Sequence, residues 1–256
     1  MPSEIDTTST PAIEDRRRRK RAARTEQLLE HAFDLLEDGG IAAVTMTALA
    51  EAADYAPASL YTYFSSRSAL LAAMQRRALG VLHEATVAAA ERWQDALGTT
   101  PAAPAPVVAA LAPLFGFSDL FLAAPRAYPR EFVLQQQLLV TADAEEAVDA
   151  ATVVPAAMGV LDVPRGLLAA AVAAGALEAP TDAIDPLAEP VDGNLVRTFA
   201  WIVALNGSLL VESLATGLPT TGAALGAELT ASLLRGWGAD PTDLAAARAI
   251  ADGWAD

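Results

Sequence analysis

Apolar residues recur at helical spacing through most of the chain, and no segment sustains the period-two alternation of a strand. From Arg24 to Asp38, Leu28, Leu29, Ala32, Phe33, Leu35 and Leu36 share one face, and Gly39-Gly40 supplies a C-terminal stop. Thr45 or Thr47 can cap a short helix that turns Leu49 and Ala50 inward, with Ala52 and Ala53 small enough for a close neighbour. That helix must end near Asp54, since Asp tolerates left-handed backbone and Asp54-Tyr55-Ala56 reads as a turn. Pro57 then opens a second helix through Ser59, Leu60, Tyr61 and Tyr63 to Phe64. Two short helices meeting at such a turn form a helix-turn-helix, whose second helix presents side chains to base edges in the major groove. Ser66 caps a long fourth helix from Arg67 through Trp93 to about Leu97, roughly 45 Å at 1.5 Å per residue, with Gly80 its weak point.

After the Pro/Ala stretch 98–106, Ala-rich apolar segments of helix length occupy 107–122, 126–142, 144–161 and 164–177. Residues 178–193 hold Pro180, Pro186, Pro190 and five acids and read as a loop. Leu195 to Ala215 is apolar nearly all round, which predicts burial on every side and so a partner subunit. The segment 222–237 repeats Leu225, Leu229 and Leu233, with Gly222 and Gly226 permitting close approach. Residues 239–256 form a short helix or a tail. The expected fold is all-α: a three-helix helix-turn-helix domain joined by a long helix to a helical ligand-binding and dimerisation domain. Its expected divisions are a disordered acidic and basic arm at 1–22, the DNA-binding domain at 23–77, the second domain at 78–238, and the C-terminal piece at 239–256.

The charge balance first argues against nucleic acid, since the 256 residues carry a net −15. Its distribution reverses that inference. Residues 1–80 hold ten Lys+Arg and eleven Asp+Glu, a net of −1, whereas residues 81–256 hold seven and twenty-one, a net of −14. Six of those ten cations form one run, Arg16, Arg17, Arg18, Arg19, Lys20 and Arg21, which either extends the first helix or forms a flexible arm able to reach DNA. With no cysteine there is no disulfide, thiolate metal site or Cys nucleophile. His31 and His83 lie on separate predicted helices, leaving little material for a metal cluster or a triad, so no metal, catalytic residue or cofactor is expected. The polar, acidic N-terminus lacks the features of a signal peptide, so the expected location is cytoplasmic. The uncharged run Ala96 to Ser118 is long enough to raise a membrane question, but its four prolines make it a loop leading into a buried helix.

The spacing Thr45, Leu49-Ala50, Leu60-Tyr61, Tyr63-Phe64, Arg67 and Leu70-Leu71 resembles the DNA-binding domain of the TetR family of transcriptional regulators, over about Arg24 to Arg77. Asp54 departs from the family, which usually has Gly there. The resemblance implies base contacts from Thr47, Pro57, Ala58 and Ser59, phosphate contacts from Tyr61, Tyr63 and Arg67, and a dimer contact through the helices near 195–215 and 222–237. It further implies a homodimeric repressor on a palindromic double-stranded operator, released by a small-molecule effector.

Phe115, Phe117, Phe121, Tyr128 and Phe132 gather the aromatic content just before Gln135-Gln136-Gln137. This composition suggests an effector site at Phe121, Tyr128, Phe132 and Gln136, for a mostly apolar molecule with no more than one charge. Two other classes compete. A helical protein-interaction module would lack ligand-controlled DNA binding. An enzyme would need a paired carboxylate, a nucleophile with its base, or a phosphate loop, and none is evident in the sequence.

Overall fold

The computed structural model describes residues 9–99, 103–140, 151–180, 192–214 and 220–254. Among these residues there are ten helices and no strand: α1 (Ser9–Ala43), α2 (Met46–Ala52), α3 (Pro57–Leu60), α4 (Arg67–Thr99), α5 (Pro106–Ala127), α6 (Pro129–Val140), α7 (Val154–Ala173), α8 (Gly193–Leu214), α9 (Gly222–Gly236) and α10 (Pro241–Asp252). Their starts follow local chemistry. The Thr45 hydroxyl accepts from the Ala48 amide at 3.1 Å, Ser66 Oγ from Ala69 at 3.0 Å, Thr221 Oγ1 from Ala224 at 3.1 Å and Asp240 Oδ1 from Thr242 at 2.7 Å, each satisfying an amide that the helix itself leaves open. The two amides bonded to Asp240, Thr242 first and Asp243 second, hold its carboxyl below the usual carboxylate range.

The chain divides into two compact units, Met1–Ala78 with Arg130–Val154, and Leu79–Pro129 with Pro155–Asp256. α4 contributes its first third to the first unit and the remainder to the second. In the first unit, Leu28, Ala32, Phe33 and Leu36 of α1, Leu49 of α2, Leu60 of α3, and Leu70 and Met74 of α4 form one buried core. α6 completes it: Leu134 is fully buried there, and Gln137 Oε1 accepts the Ile41 amide at 2.7 Å. That amide lies just past a kink in α1, where Gly40 takes φ +67°, a conformation open to glycine. Arg130 of α6 reaches Glu30 at 3.2 Å, Glu37 at 3.0 Å and also Asp34, while Arg77 of α4 reaches Glu26 at 3.4 Å and also Glu30. Both guanidiniums lie against Phe33, at 5.3 and 5.5 Å from its ring centre. The Arg77 hydrogen bond, the largest influence, holds the Glu30 carboxyl below its ordinary range, with burial opposing it and Arg130 adding to it.

The second unit is built around α5, which α10, α9 and α8 cover. Leu111, Leu114, Phe115 and Phe117 of α5 pack with Trp201 and Leu205 of α8, Leu234 of α9, and Leu244 and Ala247 of α10. The polar groups inside this core satisfy one another: Thr230 Oγ1 lies 2.9 Å from Ser118 Oγ and accepts the Trp201 indole N–H at 3.0 Å. Gly116 is required on the α4 side, since a Cβ there would stand 2.8 Å from the Trp93 ring. Arg248 pins α10 to α5 through Asp119 at 2.8 Å.

Several expectations change. The arm up to residue 22 was expected to be disordered, but from Ser9 onward it is helical and continuous with α1; no Pro or Gly interrupts Ala12 to Asp38, so the helix has no local reason to stop. The expected helices 144–161 and 164–177 are replaced by a single α7, Val154–Ala173, with Pro164 buried inside it; residues 141–150 lie outside the described residues. Most of the expected 178–193 loop, 181–191, lies outside them too. The C-terminal stretch is an ordered helix, because Leu244, Ala247 and Ala251 recur on the face that meets α5. α8 is not buried all round: Trp201 and Leu205 face the core, while Val196, Phe199, Val203 and Leu210 are 42–68% exposed. Three helices, α5, α7 and α8, are long and apolar enough by length and composition to cross a membrane, and α5 spends that apolarity on the core of its own unit.

Candidate nucleic-acid interface

The turn between α2 and α3 is set by Asp54, whose φ of +55° is the left-handed conformation that most side chains disfavour and Asp tolerates. The Tyr55 amide bonds back to the Ala50 carbonyl at 2.8 Å, closing the turn, and Pro57 starts α3. α3 is only four residues long. Beyond Leu60 the chain continues in hydrogen-bonded turns, Tyr63 N to Leu60 O at 2.8 Å and Phe64 N to Leu60 O at 2.9 Å. Leu60 and Phe64 are buried, which fixes the rotation of this segment and leaves Pro57, Ala58, Ser59 and Tyr61 exposed together. Thr47 is exposed on α2. Five of the residues expected at DNA therefore lie on the open surface of the helix-turn-helix.

Tyr63 and Arg67 are placed differently. Tyr63 is half-buried, edge-on to Tyr55 at 6.2 Å between ring centres, with the Arg21 guanidinium 5.8 Å from its ring. Arg67 turns inward: its Nε donates to the Val44 carbonyl and its Nη2 to the Ile41 carbonyl, both at 2.7 Å. It thereby ties the start of α4 to the segment joining α1 and α2. The geometry gives Arg67 a positioning task inside the domain where a phosphate contact was expected.

The basic run lies along the first turns of α1. Arg17, Lys20, Arg21 and Arg24 line a groove of about 630 Å³ with Ala23, Gln27, Thr62 and Tyr63. Arg21 donates to the Thr62 carbonyl, fastening this part of α1 to the turn after α3, and Arg24 lies 5.3 Å from the Tyr55 ring. Arg16, Arg18 and Arg19 are exposed but do not line the groove, and Arg19 pairs with Asp15 at 2.9 Å. Arg24, Gln27 and Thr62 were not expected at this surface. The spacing of Arg17, Lys20 or Arg21, and Arg24 at three to four residues carried the signal, since those positions share a helix face.

The four residues expected to hold an effector fall in different units. Phe121 and Tyr128, both half-buried, belong to the second, where the Phe121 ring lies 6.3 Å from Phe117. Phe132 and Gln136 belong to the first, on the helix that completes its core. Among the described residues no group of three or more metal-ligating side chains comes together.

Residues 28–74 match the sequence family of bacterial regulatory proteins, tetR family. No curated protein matches the chain. Its fold is similar to several solved regulators. FadR from Bacillus subtilis, solved with stearoyl-CoA, is 14% identical over 82% of this chain and 98% of that one, with a TM-score of 0.54. SmeT, the repressor of the Stenotrophomonas maltophilia multidrug efflux pump SmeDEF, is 18% identical over 86% and 92%, at 0.52. AibR, solved with isovaleryl coenzyme A and operator DNA, is 19% identical over 82% and 98%, at 0.50. Identities this low carry the fold alone.

Proposed function

We propose that the chain, whose residues 28–74 match the tetR family of bacterial regulatory proteins, is a TetR-family homodimeric repressor whose hold on a palindromic operator is released by a small-molecule effector. The observation that carries the DNA-binding half is the exposed set Thr47, Pro57, Ala58, Ser59 and Tyr61 around a turn fixed by Asp54, beside the groove of Arg17, Lys20, Arg21 and Arg24. Short side chains at the start of α3 suit close approach to base edges, and Tyr61 and Tyr63 can donate to phosphates on either side. The basic run Arg16 to Arg21 supplies backbone contacts. Fold and family are those of regulators rather than enzymes.

Dimerisation is supported by α8, whose exposed Val196, Phe199, Val203 and Leu210 lie along one side of the helix, with Leu225, Leu229 and Leu233 recurring along α9. An apolar strip of that kind marks an association surface, and two such helices doubled by a two-fold axis form a four-helix interface. Gly226, expected to permit close approach, does so within the chain: a Cβ there would stand 2.7 Å from Leu122 and 2.9 Å from Ser208.

The effector reading rests on the second unit. We assign it to the α5 aromatic side, including Phe121 and Tyr128, and to a mostly apolar molecule with at most one charge. Phe132 and Gln136 belong with the docking of α6 in the first unit. α4 and the α5–α6 junction join the units covalently, so a change at α5 has a direct path to the helix-turn-helix. Coupling is reciprocal, so operator must weaken effector as much as effector weakens operator. The reading is tested by gel shift on the DNA upstream of its own coding region, with and without a compound panel. Sequence-specific retardation reversed by one compound class is expected; the absence of any sequence preference would overturn the reading.

A further inference from the structure

We propose that the groove between the first turns of α1 and the turn after α3 seats two successive phosphates of one DNA strand, and that it does so only while the arm is helical. The proposal rests on the DNA-binding reading above and identifies which part of the basic run acts, and in what shape.

The six cations are not equivalent in space. Arg17, Lys20 and Arg21, with Arg24 one turn further on, line the groove, whereas Arg16, Arg18 and Arg19 do not. No carboxylate contributes to its lining, and among the described residues no acid pairs with Arg17 or Lys20; the paired cation, Arg19, is outside it. Side chains three to four residues apart stand one helical turn, about 5.4 Å, from each other along the axis, a spacing comparable to that of neighbouring phosphates on a strand. The opposite wall is suited to a sugar-phosphate chain: the Thr62 and Tyr63 edge is uncharged, and Tyr63 offers a hydroxyl, while that of Thr62 donates to the Ser59 carbonyl at 2.7 Å.

The groove is also built in advance. Arg21 is held by the Thr62 carbonyl and against the Tyr63 ring, and Thr25 Oγ1 donates to the Arg21 carbonyl at 3.0 Å. These contacts fix the register between α1 and the recognition turn, so a strand held by Arg17 and Lys20 is aligned with the bases that Ser59 faces. An untethered arm would bring the same charge with no such alignment. Helical continuity from Ser9 makes the difference, since the lining residues share a face only in a helix.

The experiment is binding of the full-length protein to the duplex enriched from a random library, and to random duplex, as a function of salt. Two phosphates in each of two protomers, at about −0.9 per phosphate, contribute a slope of about −3.6 in log K against log salt. Arg17→Gln with Lys20→Gln should flatten the slope by about 3 to 4 and weaken both duplexes. Arg16→Gln with Arg18→Gln removes equal charge and should flatten it by less than about 1. Equal effects of the two pairs, or no effect of the first, would overturn the seat. Ala22→Pro keeps every charge but breaks the helix between arm and domain. It should match the loss at Arg17 and Lys20; a retained slope means a flexible tether and overturns the helical requirement. Vesicles of phosphatidylglycerol should not bind; capture by them that is lost with Arg17→Gln and Lys20→Gln assigns the groove to membrane and overturns the DNA seat. If the unaltered protein shows no preference for any duplex, the parent reading fails; if the preference stands but the variants behave alike, only the seat does.

Discussion

In the first unit, α1 places Glu26, Glu30, Asp34 and Glu37 against two arginines from α4 and α6, and on its earlier turns Arg17, Lys20, Arg21 and Arg24 line a groove to which no carboxylate contributes. In the second unit, α8 buries Trp201 and Leu205 and turns Val196, Phe199, Val203 and Leu210 outward. Each unit thus leaves one surface incomplete by its own contacts, and the chemistry differs. The groove of the first has no carboxylate in its lining, and the α8 face of the second lacks apolar cover. A chain with a net charge of −15 can still present a cationic surface because Glu26, Glu30, Asp34 and Glu37 are paired with Arg77 and Arg130, while Arg17, Lys20, Arg21 and Arg24 share one groove that no carboxylate lines.

The contrast is broken most severely at α8. In the proposed symmetric interface Val203→Glu would appear twice and bury two charges; at about 2 kcal/mol or more per site, dimer affinity should fall roughly a thousandfold. Sedimentation should show a monomer of 26.5 kDa with unchanged helical circular dichroism, and operator binding should fail with it. A dimer that survives removes α8 from the interface. Leu229→Arg on α9 should act in the same direction.

Next in size is Leu134→Ala, which tests whether α6 belongs to the first unit in solution. The side chain is fully buried, so its loss should cost about 2–5 kcal/mol. Hydrogen exchange should rise across α1, α2 and α4 before Ala78, with dimerisation retained. Exchange rising around α8 instead would place α6 wrongly.

On the DNA face, Tyr61→Ala should weaken all duplexes alike, by about 1–2 kcal/mol as for a charge-assisted hydrogen bond, whereas Ser59→Ala and Thr47→Ala should change which sequence a selection enriches. The reverse pattern would exchange their roles. Asp54→Gly relieves a left-handed side chain but frees the unfolded backbone, so thermal unfolding should shift by less than about 1 kcal/mol; Asp54→Ala should destabilise by about 1.

The smallest effect is acidic. The Glu30 carboxyl is held below the ordinary carboxylate range, chiefly by the Arg77 hydrogen bond, so its contribution is present above the unfolded pKa and is lost as pH falls through the lower folded one. With its side chain 49% exposed, solvent screening keeps this under about 1 kcal/mol. Urea midpoints for Glu30→Gln should therefore differ from the parent at pH 7 and converge with it in acid, once pH falls below the lowered folded pKa. A difference that persists in acid would assign the effect to packing.

Local chemistry made much of this chain legible from residues alone. Thr45, one of two candidate caps with Thr47, and Ser66 cap their helices, Gly39-Gly40 breaks α1, Asp54 adopts the left-handed turn, and α4 starts at Arg67, because each depends on groups within a few residues. Periodicity likewise predicted an all-helical chain. What it could not supply was the neighbour that each apolar face meets. Leu134 and Gln137 look like any helix residues of the second domain, yet they complete the first, and this separates Phe132 and Gln136 from Phe121 and Tyr128. Gly226 reads as a point of close approach, and only the structure shows that Leu122 and Ser208 of the same chain make it. Arg67 reads as a phosphate ligand until its guanidinium is found on the carbonyls of Ile41 and Val44. A helical period specifies a direction around one axis, and only tertiary packing decides what lies in that direction.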